Sequence, residues 1–165
     1  MKIAAVESWV AGPLQSFVDE ARVELALLLH PSGQAVAQAG FTRRMDVMTA
    51  CALAAASHAT ASELGRYVDG KPFRGLHYAG PEKQLFIGTV ETRAGAYICL
   101  TVFDETSSLG LVRMYFEDLS KDLAGAAPAA PETGTPVLAV DFEADLNKNL
   151  AMLFGRGGDV IVKNA

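Results

Sequence analysis

The chain has 165 residues, 50% of them hydrophobic and 20% charged, and a formal net charge of −5. That length and apolar content can bury the core of one domain with an appendage. The acidic balance, with no basic block longer than Arg43-Arg44, argues against a nucleic-acid surface, which needs a basic face.

The amino-terminal Met1–Glu7 is too short and too soon acidic for a signal sequence. No apolar run approaches the ~20 residues of a membrane span. The expected setting is cytoplasmic, with neither nucleic acid nor membrane as partner.

From Val6 to Glu20 the residues Trp9, Val10, Leu14, Phe17 and Val18 offer one apolar helix face, and Gly12-Pro13 predicts a break or late start there. Val23–His30 has strand length, although its Leu and Ala would also suit a helix. The turn signal Pro31-Ser32-Gly33-Gln34 and the weak strand Ala35–Gly40 favour a hairpin.

Asp46 is a natural N-cap for a second helix, expected to end near Gly65. The helix is rich in Ala, Thr, Ser and Cys, which have little area to bury but let another backbone come close. Two arrangements suit it: tight packing on its own sheet, or a contact with a partner or second subunit. The candidate partner-facing residues are Met48, Ala50, Cys51, Ala54, Ala55, His58 and Ala61.

Tyr67–Lys83 reads as loop, with a short strand at Leu76–Tyr78. Gln84–Val90 and Ala96–Phe103 form a hairpin around the turn Thr92–Gly95. Asp104–Ser108 supplies turn and N-cap chemistry. Leu109, Val112, Phe116, Leu119 and Leu123 then step by three and four along one helix stripe, with Arg113 expected to pair with Glu117 one turn on.

The fold class is α+β: one five-stranded antiparallel sheet with helices on both faces, spanning residues 5–124. Residues 125–136, rich in Ala, Pro and Gly, read as a linker. The tail, 137–165, carries a short amphipathic helix with Phe142, Leu146, Leu150, Leu153 and Phe154 on its apolar side. Alone it is too short to be stable in water, so it should dock on its own domain, on a second subunit or on a partner.

Reactive chemistry does not converge. His30, His58 and His77 are scattered, and Cys51 and Cys99 lack CxxC spacing and read as small buried hydrophobes. Gly155-Arg156-Gly157-Gly158 lacks the Lys-Ser/Thr ending of a phosphate loop. No catalytic, metal-binding or cofactor-binding residue is expected, and the chain is not expected to be an enzyme.

Thr106-Ser107-Ser108-Leu109-Gly110-Leu111-Val112-Arg113, together with Gln84-Leu85-Phe86-Ile87-Gly88, Val102-Phe103-Asp104 and the small-residue helix from Met48-Thr49-Ala50, resembles bacterial roadblock-domain proteins of the MglB type. The likeness covers about Ala5–Leu123, and the tail around Asp145–Leu150 and Leu153-Phe154 is similar to that branch's acidic-hydrophobic extension. His58 departs from the Gly or Ala that the family favours there.

The resemblance implies a profilin-like roadblock fold and a homodimer. It implies binding to an MglA-like Ras-family small GTPase in its GTP state, faster GTP hydrolysis, and a role in bacterial polarity or gliding motility with enrichment at a cell pole. It also implies that no arginine is inserted, which leaves Arg43, Arg44, Arg66, Arg74, Arg93 and Arg113 as disfavoured finger candidates. The tail, on a linker reaching roughly 20 Å, would promote nucleotide exchange from about millimolar effective concentration. The alternative reading is a roadblock scaffold dimer that leaves GTP hydrolysis unchanged.

Overall fold

Strand Leu25–Leu29 (LALLL) is buried at every position, because it sits mid-sheet with helices on both sides. Ala26 and Leu28 enter one core and Leu25, Leu27 and Leu29 the other, as period-two alternation requires. A computed structural model supplies this architecture and describes residues 4–5, 7–41 and 45–129.

In chain order the elements are β1 (Ala4–Ala5), α1 (Ser8–Glu20), β2 (Leu25–Leu29), β3 (Ala35–Gly40), α2 (Val47–Asp69), β4 (Gly75–Ala79), β5 (Gln84–Thr92), β6 (Gly95–Phe103) and α3 (Leu109–Ala126). The sheet runs β1-β3-β2-β6-β5-β4, every pair antiparallel. The five expected strands are present, and two amino-terminal residues add a short sixth beside β3 through Ala4↔Gln38 and Ala5↔Ala37.

Helices α1 and α3 cover one face and α2 the other. On the first, Val10, Leu14 and Phe17 meet Val112, Phe116 and Leu119 over Phe86, Val90 and Phe103. On the second, Cys51, Ala54 and Ala55 lie against β2, Ile87, Ile98 and Leu100. The cysteines are free and buried, in separate clusters on opposite faces.

Three expectations need correction. Helix α1 runs unbroken through Pro13. The proline costs about 3 kcal/mol in a helix interior, whereas the four buried side chains Val10, Leu14, Phe17 and Val18 contribute about 1.5–3 kcal/mol each. Helix α2 passes Gly65 and Tyr67 and ends at Gly70, whose φ of 70° makes it the left-handed cap. Gly65 is small because the chain folds back over it: a Cβ there would lie 2.5 Å from the Phe73 nitrogen and 2.7 Å from the Lys71 carbonyl oxygen. Arg113 and Glu117 do not pair; the ion pairs among the described residues are Arg66–Glu63, Lys83–Glu24, Lys83–Asp104 and Lys121–Asp118.

The run Thr106–Ser108 has a structural task. Thr106 donates its backbone N–H (2.9 Å) and hydroxyl (2.7 Å) to Asp104. Ser107 donates its hydroxyl to the Ala21 carbonyl at the end of α1 (2.5 Å), and Ser108 caps α3 by accepting from the Leu111 N–H (3.2 Å). Together these bonds fix where α3 begins relative to α1. Residues 130–165, which include most of the linker and the tail stripe Phe142, Leu146, Leu150, Leu153 and Phe154, lie outside the described residues, as do Arg43 and Arg44.

Candidate interface beside helix α2

Helix α2 starts at Asp46, which accepts from the Met48 N–H (3.1 Å) and the Thr49 hydroxyl (2.5 Å). The Thr49 hydroxyl, then the backbone N–H groups of Met48 and Thr49, hold the Asp46 carboxyl below its ordinary range against a smaller opposing effect of desolvation. The cap keeps a negative charge at the positive end of the helix.

The small residues of α2 divide between its two faces: Ala52, Ala56 and Ala59 are exposed. Cys51, Ala54, Ala55 and Ala61 are buried within the chain, Ala50 and His58 are half-buried, and Met48 is exposed. Of the seven residues expected to meet a partner, four are therefore held within the chain itself. Small side chains let α2 approach its sheet closely, the first of the two arrangements open from sequence.

His58 Nε2 lies 2.6 Å from the Thr89 hydroxyl on β5. Burial pushes its pKa down, so the neutral ring is favoured. This is a strut between helix and sheet, which accounts for a histidine where a smaller residue would leave a polar Thr89 unmatched.

The outward face of α2 also carries large apolar residues; sequence reasoning names Met48 there and misses Leu53, Leu64, Tyr67 and Val68. Met48 is 79% exposed, Leu53 63%, Tyr67 90%, and Leu64 and Val68 are also more than half exposed. Leu53, Ser57, Thr60, Leu64 and Val68 step by four, three, four and four along the helix, placing bulky groups at the ends and small ones in the middle. The sequence carries a signal for this face: on a helix rich in Ala, Ser and Thr, Leu53, Leu64 and Val68 are among the few large apolar residues.

Beside α2 the sheet is left partly bare. A groove of about 400 Å³ runs between the helix and the sheet, with Met45, Leu53, Tyr78, Leu85, Leu100 and Val102 among its walls and polar lining from Asp46, Thr49 and Ser57. Next to it β4 is an edge strand, paired among the described residues only with β5, and all its residues except Leu76 are exposed. An apolar hollow beside such an edge is a surface that proteins usually cover.

The histidines remain apart. His30 contacts Ser32 in the β2–β3 turn, and His77, on β4, contacts Gln84 at 2.8 Å. Among the described residues no three His, Cys, Asp or Glu side chains gather as metal ligands, and no helix is long and apolar enough to cross a membrane. What the geometry provides is shape and apolar area.

Neither a family model nor a curated protein sequence matches the chain. Solved structures do. Myxococcus xanthus MglB superposes with a TM-score of 0.66 at 22% identity, over 73% of this chain and 95% of that one. The gliding protein MglB from Thermus thermophilus gives 0.62 at 23%, over 72% and 88%. A roadblock/LC7 domain from Streptomyces avermitilis gives 0.57 at 17%, over 74% and 97%. The chain thus has the roadblock fold, with MglB structures among its neighbours.

Proposed function

We propose that the protein is a homodimeric activator of an MglA-like Ras-family GTPase. The observation that carries this reading is the open apolar surface on the α2 side: an exposed helix stripe, a bare groove and an open edge strand, side by side. A second copy, laying its α2 against the first and its β4 along the first β4, would cover all three at once. A stable pair buries on the order of 1,200–2,000 Å² in total. The MglB neighbours point to the GTPase as the further partner.

The chemistry suits a regulator without reactive groups. GTP hydrolysis needs a positioned water and positive charge on the transferring phosphoryl group. A rigid dimer that binds the switch loops of the GTPase can supply the order in which those loops' own groups act. Orientation of this kind is worth several kcal/mol. Arg66 is paired with Glu63 on the exposed side of α2. The tail, 137–165, is assigned the effect on nucleotide exchange, with 125–136 as its tether.

Two measurements test the reading. Light scattering should give twice the chain mass, and phosphate release from a GTP-loaded MglA-like GTPase should accelerate when the protein is added. Binding without acceleration would favour the scaffold alternative. A monomer that binds no GTPase would overturn both. Deleting 137–165 should change exchange kinetics while the domain stays folded.

A further inference from the structure

Strand β5 has nine residues and its outer neighbour β4 only five, so β4 pairs with Gln84–Gly88 and leaves Thr89–Thr92 with a strand on the β6 side alone. The tight β5–β6 turn closes on Thr92↔Gly95. Alternation along an antiparallel ladder then turns the backbone groups of Thr89 and Glu91 outward. The Thr89 N–H is used, donating to the Arg74 carbonyl (3.2 Å). The Thr89 carbonyl and the Glu91 N–H and carbonyl follow on an edge with no strand beside it among the described residues.

That edge borders a groove of about 610 Å³ between β5 and α3, on the sheet's other side from α2. Its floor is the pair Phe86 and Phe116, whose rings meet edge to face at 5.1 Å. Both rings are largely buried, so the floor offers little apolar area and the walls must set what binds. Arg74, Arg113 and Lys121 line them against Glu91 and Glu117. Three cations against two carboxylates is a positive balance on a chain of net charge −5. Lys121 is held by Asp118, whereas neither Arg74 nor Arg113 enters an ion pair among the described residues.

We infer that the groove receives an extended peptide of a partner protein, which pairs with the outer edge of β5 at Thr89–Glu91 and presents carboxylate side chains to Arg74 and Arg113. Strand addition supplies backbone hydrogen bonds to an edge that lacks them. The arginines set the preference for acid through planar, two-pronged recognition. Because the edge offers few positions and the floor little apolar area, the interaction is weak and falls with salt.

The test uses the full chain and a blocked peptide, Thr-Val-Glu-Val-Glu-Val-Thr, beside its lysine counterpart, with binding read from amide chemical shifts. The glutamate peptide should shift Thr89–Glu91 and Arg113–Lys121 and bind about tenfold or more tightly than the lysine peptide. The double reversal Arg74→Glu with Arg113→Glu should invert that preference. Glu91→Pro removes an outward N–H while sparing the β6 ladder and should abolish binding. Equal binding of the two peptides, shifts confined to α2, or no shifts at millimolar peptide would overturn the proposal.

Discussion

Gly88 lies directly beneath Phe116: a Cβ on Gly88 would stand 2.4 Å from the ring's Cζ and 2.7 Å from its Cε1. The glycine lets α3 settle onto β5, so that Phe116 reaches both Phe86 and Phe17. Gly88→Ala should destabilise the fold by about 1–3 kcal/mol, the usual cost of overpacking a tight core. Urea unfolding would show it as a lowered midpoint at unchanged slope.

Leu53 and Leu64 are exposed on α2, so replacing both with Glu should change the stability of a single copy by no more than about 0.5 kcal/mol each. In the proposed dimer both are covered, and four carboxylates would face one another. The double variant should therefore run as a monomer in size-exclusion chromatography with light scattering while keeping its circular dichroism. A dimer that persists would show that α2 is not the contact.

Lys83 bridges Glu24 and Asp104, with 3.0 Å to Asp104. The Thr106 hydroxyl, then the Thr106 N–H, then Lys83 hold the Asp104 carboxyl well below the usual carboxylate range. A depressed carboxyl adds stability that is fully present above its unfolded value of about 3.9 and is lost as pH falls toward its folded value. Asp104→Asn should flatten the fall of Tm between about pH 4 and pH 2. The same two acids raise Lys83, so its contribution persists through neutral pH and fades only as pH rises through its folded value.

His58 also binds its proton less readily in the folded chain than in the open one, because of its burial. Its contribution is present above about pH 6.5 and is lost as pH falls below that value. His58→Asn should shrink the difference in Tm between about pH 7.5 and pH 5.5. Thr89→Val, which leaves the ring without its partner, should cost about 1–2 kcal/mol at neutral pH.

The sheet and α3 were readable because their patterns are dense. Val112, Phe116, Leu119 and Leu123 follow a helical period and are all buried, and the β5–β6 hairpin has alternating faces around a short turn. The end of α2 is not legible in the sequence because a glycine near a helix end has two physical uses. Gly70 takes the left-handed turn, and Gly65 makes room for Phe73; only the returning chain tells them apart. The inward turn of Ala54 and Ala55 was hidden for a related reason: a helix rich in alanine has a weak apolar stripe, so its seating depends on which sheet residues it meets.

The sheet has a seam. Residues 25–29 meet 98–102, whereas β2–β3, β4–β5 and β5–β6 join neighbours in sequence. The amino-terminal hairpin and the three-stranded meander can each form from local contacts, but closing them on each other costs the entropy of a long loop that includes all of α2. Changes at Leu27 or Leu100 should slow refolding, whereas changes at the hairpin turns should mainly hasten unfolding.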